Sequence, residues 1–417
     1  MVFKKVFIGL LIATSLGFSV TNAQQSSGKS YLVKIGERDS VYSELLKEQR
    51  DFYVQLPEYY IDGEKYPVAF VIDGDFLLPT VTNVQSHYSG GFTPDMILIG
   101  ISNLNNRARD LTTSKLTEMY GMPYTRENGE AVHFLSFIEK ELIPYVEAKY
   151  PVNGYRTLIG HSYGGLFTIY TLLNKPHLFN SYVAIDPSLD WDEQKLVKEA
   201  ELHLKENDYS NKFLFMSLNG QLHEANPDIT IDNVTSDTTE QTYFARSNLA
   251  LLDLIRKNEN NGLNFGWKFY PRDLHGTIQY PTLMDGLIHN FEWYQMENTY
   301  AINDPQTSIE TLQETIEYRA KKLERHFGFF VAPYPEELLN VLGYMQMDFG
   351  QFEKAKMFFQ FAVKFYPNSA NAYDSLSEYY EKMEDYSLAL ECAEKAYKLN
   401  PNKGLEKKIK SLTRKAR

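Results

Sequence analysis

Residues 155–173 read YRTLIGHSYGGLFTIYTLL, and this stretch decides the fold. The strand-like run Tyr155–Ile159 enters a glycine-rich turn, and the helix-like run Leu166–Leu173 leaves it. The turn GHSYG (160–164) matches G-x-S-x-G, the pattern of a sharp strand-to-helix turn that exposes a serine hydroxyl at the edge of a sheet. Its glycines let the strand and the helix approach closely. The stretch therefore predicts Ser162 as a nucleophile.

Short apolar runs alternate with helical patterns on both sides of this turn. Strands are predicted at 51–56, 66–73, 96–102, 157–159, 182–185, 212–218 and 265–270, and a long helix is predicted at 131–150. Apolar strands that alternate with helices are typical of a mostly parallel sheet covered on both faces. We therefore expect residues 30–296 to form one α/β domain.

His275 is the candidate general base. A serine hydroxyl is a poor nucleophile near neutral pH and needs a positioned base. In the α/β-hydrolase fold the chain order is serine, acid, histidine, and the histidine lies on a loop after the last strand. Of nine histidines, only His275 follows the predicted strand 265–270 in this way.

The acid of the triad is less tightly specified. It is expected after strand 212–218, where Glu224 is the first carboxylate and Asp228 the second. Asp186, one strand earlier, is a further alternative, and a serine–histidine dyad without an acid also stays open. We favour Glu224.

Backbone amides are expected to stabilise the oxyanion. One is the N–H of Tyr163, at the start of the helix that follows the nucleophile, where the helix end favours negative charge. The second belongs to the loop after strand 66–73, from Gly74 or Asp75.

Two arginines follow strand 96–102, at the sheet edge where ligands bind in α/β folds. Arg107 and Arg109 are therefore candidates for holding a substrate carboxylate or phosphate. Pairing of Arg109 with Asp110 or Asp73 as structural support is an equal alternative. No histidine or cysteine spacing of a metal site and no nucleotide-binding fingerprint is present, so no metal or cofactor is expected.

The C-terminal part repeats itself every 34 residues. Pro367 and Pro401 are separated by this distance, as are the alanine pairs Ala355/Ala389 and Ala362/Ala396. This period is the signature of tetratricopeptide repeats. We predict a helical connector at 300–332 and, over 333–417, two repeats (333–366 and 367–400) followed by a capping helix. Two repeats are few to stand alone, so we expect them to pack against the connector or the α/β domain.

The N-terminus predicts export. Lys4 and Lys5 precede an apolar stretch at 6–18, and a small residue, Ala23, ends the segment. This is the pattern of a cleaved signal peptide, residues 1–23, and no later stretch predicts a membrane span. A net charge of −12 argues against nucleic acid as a partner. We expect a periplasmic or secreted protein.

The ordered motifs resemble the putative esterase family of α/β-hydrolases, which includes esterase D, enterochelin and salmochelin esterases and feruloyl esterases. The resemblance covers residues 44–293 and rests on these segments: YPVAFVIDGD (66–75), IGISNLNNRARDLT (99–112), FIEKELIPYVEAKYPV (137–152), GHSYGGLF (160–167), DPSLDWD (186–192) and HGTIQYPTLMDGL (275–287). It implies an α/β-hydrolase fold and a carboxylic ester hydrolase that uses Ser162 and His275. Asp186 and Asp190 depart from the family, which usually has Ser-Pro-Ser-Leu-Trp-Trp in that segment.

An exported serine esterase is therefore the leading hypothesis, with acylated sugars, feruloyl esters or siderophore-type esters as substrates. The main alternative is a catalytically minor α/β-hydrolase scaffold whose helical repeats bind a partner protein. Transfer of the acyl group to a sugar would use the same residues as hydrolysis.

Overall fold

Ten strands organise the first two thirds of the chain in the computed structural model, which describes residues 35–58, 60–89, 91–223 and 225–417. They are β1 (Glu37–Ser43), β2 (Glu48–Gln55), β3 (Tyr66–Val71), β4 (Ile97–Ile101), β5 (Glu118–Met119), β6 (Met122–Pro123), β7 (Val152–His161), β8 (Ser181–Ile185), β9 (Lys212–Asn219) and β10 (Leu263–Tyr270). The signal peptide predicted at residues 1–23 lies outside the described residues.

Eight of these strands form one sheet, in the order β1-β2-β4-β3-β7-β8-β9-β10. β1 and β2 pair antiparallel, as do β2 and β4, and all other neighbours are parallel. The central strand β3 is buried along its whole length, which explains its unbroken apolar sequence. β1 reads ERDSVYS and lies at the edge, largely in contact with solvent, and its polar sequence explains why the strand was not predicted.

Fifteen α-helices accompany the strands. They are α1 (Gly74–Tyr88), α2 (Arg107–Leu111), α3 (Ala131–Phe137), α4 (Ile143–Lys149), α5 (Tyr163–Asn174), α6 (Trp191–Glu206), α7 (Tyr243–Lys257), α8 (Gln279–Phe291), α9 (Thr299–Asn303), α10 (Ile309–Phe327), α11 (Glu336–Asp348), α12 (Phe352–Phe365), α13 (Ala370–Lys382), α14 (Tyr386–Leu399) and α15 (Lys403–Lys415). A π-helical turn, Ile138–Leu142, joins α3 to α4 within the helix predicted at 131–150.

The sheet has an apolar core on each face. Successive residues of β3 alternate between them: Val68 and Phe70 belong to the core that contains α3, α5, α6 and α7, whereas Ala69 and Val71 belong to the core that contains α1 and α8. This alternation follows from the two-residue period of a strand. The observed architecture is thus a mostly parallel sheet with helices on both faces, as the sequence predicts.

The last five helices form the helical repeats. α11 pairs with α12 and α13 with α14, while α15 packs on α14. The alanine pairs of the 34-residue period, Ala355/Ala389 and Ala362/Ala396, are all fully buried, because only a small side chain fits where two helices cross closely. Within the described part of the chain, no helix combines the length and the apolar character needed to cross a membrane.

α10 connects the repeats to the α/β domain. Leu323 and Phe327, near its C-terminal end, pack into the core under α1 and α8, whereas Leu312 and Ile316 pack with α11 and α12. Arg319 lies between these two groups with 1% of its surface exposed, and its guanidinium donates to backbone carbonyls, among them that of Pro333. α10 therefore contributes to the core beneath α1 and α8 and also to the core of the helical repeats.

Candidate active site

Ser162 lies on a strained turn between β7 and α5. Its backbone has φ 60° and ψ −116°, a conformation that non-glycine residues rarely adopt and that is typical of functional sites. A Cβ atom on Gly160 would lie 2.2 Å from the carbonyl oxygen of Gly164. A Cβ atom on Gly165 would lie 2.9 Å from Pro187. The glycines of the motif are therefore required by the close approach of strand, turn and helix.

The segment after β8 holds Ser162 in place. The Ser162 amide donates to the carbonyl of Ile185 at 3.0 Å, and its carbonyl accepts from the Ser188 amide at 3.1 Å. Its Oγ lies 3.2 Å from the Oγ of Ser188. Among the described residues, the hydroxyl of Ser162 makes no hydrogen bond to His275 in this rotamer. Catalytic hydrogen bonds often form only once substrate binds.

His275 is paired with a buried carboxylate. Its Nδ1 lies 2.6 Å from Oδ2 of Asp186, whose side chain is fully buried. The same carboxylate accepts hydrogen bonds from the amide of Asn219 at 3.0 Å and from its Nδ2 at 2.5 Å. A proton on Nδ1 therefore satisfies Asp186, which leaves the Nε2 lone pair of the neutral imidazole available to accept a proton.

The carboxylate at the imidazole is thus not the one that the sequence favoured. Glu224 lies outside the described residues, and Asp228 is exposed. Asp186, the third alternative, directly follows β8 with φ 45°, and its side chain reaches the loop after β10. From the sequence, these carboxylates were ranked by their position along the chain. Which of them contacts His275 depends instead on which strand end directs its side chain towards the imidazole. The contact also argues against the alternative, left open by the sequence, of a serine–histidine dyad without an acid.

His161 has a positioning role that the sequence analysis missed. Its ring packs on the ring of His275 with centroids 4.6 Å apart, and its Nε2 lies 2.9 Å from the carbonyl oxygen of His275, where it donates a hydrogen bond. Burial, together with the nearby His275, lowers the pKa of His161 to about 3. The imidazole of His161 therefore stays neutral and holds the His275 loop. The position of His161 within the G-x-S-x-G motif was the sequence feature that could have indicated this role.

Two helix N-termini meet the site, as the oxyanion prediction requires. α5 begins at Tyr163 and α1 at Gly74, and they follow the neighbouring strands β7 and β3. The first amides of a helix have no partner within the helix, so they are free to bind an anion. The Asp75 side chain is occupied elsewhere, since it accepts from Tyr53, Ser102 and Asn103. The assignment of the Tyr163, Gly74 and Asp75 amides to the oxyanion hole stays a prediction.

The two arginines have different surroundings. Arg109 donates to both oxygens of Glu48 and to Asp110, so the edges of its guanidinium are occupied. Of the two alternatives for Arg109, this contact set favours structural pairing over substrate binding: Asp110 is engaged, as the sequence allowed, and Glu48, 61 residues away in the sequence, is a further partner.

Arg107 lies beside the nucleophile. It donates to Asp73 at 2.9 Å and to the carbonyl of His161 at 3.2 Å, and its guanidinium lies over the ring of Tyr163 at 5.1 Å. With 36% of its side chain exposed, it remains within reach of a ligand. Its substrate-binding role stays a prediction.

His161, Asp186 and His275 also place three atoms of metal-binding type within 4.8 Å of one another. Each of these side chains already makes a hydrogen bond to another residue of the cluster: His161 to the carbonyl of His275, and His275 to Asp186. These hydrogen bonds account for the closeness of the three residues.

Comparison with protein families gives matches over two segments of the chain. Residues 43–244 match the family model described as "Putative esterase", and residues 370–403 match a tetratricopeptide repeat. Both findings confirm the resemblance seen in the sequence.

Two of the curated relatives that this chain resembles are named as siderophore esterases. The ferri-bacillibactin esterase BesA of Bacillus subtilis is 33% identical over 151 residues, which is 33% of this chain and 52% of the relative. The siderophore triacetylfusarinine C esterase of Aspergillus fumigatus is 31% identical over 149 residues, 32% of this chain and 48% of the relative. The chain thus spans about half the length of the curated relatives it matches.

A solved structure extends the similarity. An IroE-like serine hydrolase from Shewanella oneidensis superimposes with a TM-score of 0.63 and 28% identity, and the match covers 79% of this chain and 99% of that one. The relatives are named esterases or hydrolases, which supports ester hydrolysis as the class of reaction.

Proposed function

We propose that the esterase-like region is a serine carboxylic ester hydrolase that forms an acyl-enzyme on Ser162, with His275 as its general base and Asp186 as the acid. The observation that carries the proposal is the pair formed by His275 and the buried Asp186, next to a serine on a strained glycine turn. A neutral histidine that carries its proton on Nδ1 accepts a proton at Nε2, and a serine nucleophile needs such a base.

Acylation begins with a change of the Ser162 side chain. Rotation about χ1 moves Oγ away from Ser188 and towards Nε2 of His275, between staggered positions. Oγ then attacks the ester carbonyl carbon while Nε2 takes its proton. The negative charge on the carbonyl oxygen is stabilised by the amide of Tyr163 and by that of Gly74 or Asp75. Collapse breaks the bond to the alcohol oxygen, which leaves with the proton from Nε2.

Deacylation repeats these steps with water as the nucleophile. Nε2 of His275 takes a proton from the water as its oxygen attacks the acyl carbon, and it then returns the proton to Oγ of Ser162. Asp186 stabilises the imidazolium in both halves through its hydrogen bond to Nδ1. The acid product and the free enzyme result.

Siderophore-type esters are the proposed substrates among the three classes that the family resemblance implies. Both curated relatives described above are named for esters of this kind. Acylated sugars and feruloyl esters are the competing classes. Hydrolysis of a siderophore ester, an acetylated sugar and a methyl ferulate, measured side by side, distinguishes them.

The proposed location is the periplasm or the medium. The signal-like segment 1–23 supports export. Expression of the full chain followed by N-terminal sequencing should find Gln24 first in the exported fraction, and Leu11→Arg, which interrupts the apolar stretch, should retain the protein unprocessed in the cytoplasm. An unprocessed wild-type chain would overturn the proposal.

The test of the activity combines a substrate with a covalent probe. Hydrolysis of p-nitrophenyl butyrate and labelling by a fluorophosphonate should both occur in the wild type, and Ser162→Ala should abolish both. Ser188→Ala is the matched serine control for labelling, which should persist. A folded wild-type protein that neither hydrolyses nor reacts would favour the alternative, a scaffold whose helical repeats bind a partner protein.

A further inference from the structure

Asp190 is a buried carboxylate close to the proposed nucleophile, and no step of the proposed mechanism uses it. It lies two residues after Ser188, whose Oγ is 3.2 Å from that of Ser162. The next residue, Trp191, packs edge-on against Tyr163, the neighbour of Ser162, with ring centroids 5.3 Å apart. Asp190 therefore belongs to the wall of the site.

The carboxylate of Asp190 has one oxygen without a partner. Only 7% of the residue is exposed. Oδ2 accepts a hydrogen bond from the hydroxyl of Tyr120, whereas Oδ1 is buried and accepts no hydrogen bond from any other described residue. Burying an unpaired carboxylate oxygen is costly, and burial accordingly raises the pKa of Asp190. A donor from a bound molecule would remove this cost.

Aromatic side chains lie close to the carboxylate. Tyr120 donates to it, and the ring of Tyr163 packs against Trp191, the next residue. The charge of Asp190 is also among the causes that raise the pKa of Tyr243. Tyr243 precedes Phe244, whose ring packs edge-on against His275 with centroids 5.5 Å apart. Burial is the main cause that raises the pKa of each of the three tyrosines, so their rings stay neutral. A carboxylate with neutral aromatic side chains nearby is an environment that suits an organic cation.

Strained backbone follows Asp190 directly. Asp192, Glu193 and Gln194 all have left-handed conformations, with φ of 50°, 50° and 62°, at the start of α6. Consecutive left-handed residues other than glycine are unfavourable, and such strain is typical of functional sites. Nε2 of Gln194 donates to Ser247 on α7 at 2.9 Å, which anchors the turn. The turn determines the direction in which Asp190 and Trp191 enter the site.

A short hairpin covers the carboxylate. β5 and β6 contain two residues each, and Tyr120 lies in the turn between them with φ 51°. Tyr120 is half exposed, although its hydroxyl reaches Asp190. Two strands of this length contribute few contacts of their own, so the hairpin can yield to an incoming group that binds Oδ1.

We propose that Asp190, with the rings of Tyr120, Tyr163 and Tyr243, forms a subsite for a protonated amine of the substrate. The proposal rests on the proposed function, since it names the class of ester that the same site selects: carboxylic esters that carry a cationic amine near the scissile carbonyl. The ammonium group donates to Oδ1 of Asp190 and contacts the aromatic faces.

Paired esters test the proposal. On the acyl side, p-nitrophenyl 6-aminohexanoate is compared with p-nitrophenyl heptanoate, in which a methyl group replaces the ammonium. On the alcohol side, 2-(dimethylamino)ethyl thiobutyrate is compared with 3-methylbutyl thiobutyrate. We expect the wild type to favour the cationic member of at least one pair by about tenfold or more in kcat/KM.

Asp190→Asn keeps the shape of the side chain and removes its charge. We expect the ratio of cationic to neutral kcat/KM in the preferred pair to fall by about tenfold, whatever the absolute rates. Glu201→Gln makes the same chemical change at an exposed position of α6 and should keep the wild-type ratio.

The possible results distinguish a failure of the amine-subsite proposal from a failure of the esterase proposal. Equal hydrolysis of both members in both pairs by the wild type, or an unchanged ratio in Asp190→Asn, would overturn the amine subsite and leave the esterase proposal intact. If the wild type hydrolyses none of the four esters and does not react with the fluorophosphonate, the proposed function itself fails.

Discussion

Oδ2 of Asp186 lies 2.6 Å from Nδ1 of His275, although 89 residues separate them in the chain. Asp186 follows β8, the strand next to β7, and Ser162 follows β7. The proposed nucleophile and the proposed acid thus follow adjacent strands, and His275 reaches Asp186 from the loop after β10. The arrangement leads to four predictions beyond the tests given above.

Asp186→Asn should lower kcat for p-nitrophenyl butyrate by about 100- to 10,000-fold, because an amide does not hold His275 in the required tautomer or stabilise its charged form. Steady-state kinetics measures the loss. Glu224→Gln is the matched control and should change kcat by less than about threefold. A larger loss in Glu224→Gln than in Asp186→Asn would restore the loop after β9 as the source of the acid.

Gly160→Ala should destabilise the protein and lower its activity, because the added Cβ would lie 2.2 Å from a carbonyl oxygen of the turn. We expect a loss of about 1–3 kcal/mol in the free energy of unfolding, measured by urea denaturation. Gly154→Ala is the control on the same strand, since its Cβ would meet only Phe329, at 3.8 Å. Equal losses in the two variants would argue against close packing at the turn.

His161 should make the stability of the protein depend on pH. Its pKa is lowered from 6.5 to about 3, chiefly by burial, so below pH 6.5 the unfolded chain binds a proton that the folded chain does not. Its contribution is complete above pH 6.5 and is lost as the pH falls towards 3, by about 1.4 kcal/mol per pH unit.

The His161→Asn variant removes this proton uptake. Its free energy of unfolding should fall less steeply than that of the wild type between pH 6 and 4, as urea titrations at several pH values would measure. His133→Asn, at an exposed position of α3, is the control and should keep the wild-type slope. A wild-type slope in His161→Asn would mean that the folded protein takes up the proton.

Glu48 should contribute stability at neutral pH. Its hydrogen bonds to Arg109, and secondarily to Arg50, lower its pKa from 4.5 to about 2. Because the folded-state pKa is depressed, the contribution is present above pH 4.5 and is lost as the pH falls through about 2. Glu48→Gln should therefore reduce the free energy of unfolding by about 1–3 kcal/mol at pH 7.

The difference between Glu48→Gln and the wild type should shrink as the pH falls below 4.5. Glu44→Gln, which removes an exposed partner of Lys47, is the control and should change the stability by less than about 0.5 kcal/mol. A difference that stays constant with pH would indicate that the hydrogen-bonding shape of Glu48, and not its charge, stabilises the fold.

Elements with strong local patterns were predictable. β3 is buried on both faces and reads as an unbroken apolar run, and the helical repeats show their 34-residue period directly. β1 was not predicted, because an edge strand that faces solvent carries no apolar alternation. The π-helical turn at Ile138–Leu142 also has no local signal, since its apolar spacing fits an unbroken helix.

Within the candidate site, too, some features were predictable from the local sequence and others were not. Ser162 is specified by five consecutive residues, and His275 by its order along the chain, so both were accessible without coordinates. Arg109 donates to Asp110, a pairing that the sequence offered, and also to Glu48, on an antiparallel strand 61 residues earlier, to which no local pattern connects it. The hydrogen bond from Tyr120 to Asp190 is equally non-local, because 70 residues separate the two in the chain.

The sequence by itself determined the strand–turn–helix around Ser162, the loop that carries His275, the α/β class and the helical repeats, because periodicity, glycine sterics and chain order are properties of neighbouring residues. Only the tertiary structure decided that Asp186 contacts His275, that His161 holds the His275 loop and that Arg109 is engaged by Glu48. These depend on which strand ends lie side by side and where each side chain points, and the packing of the two cores sets both.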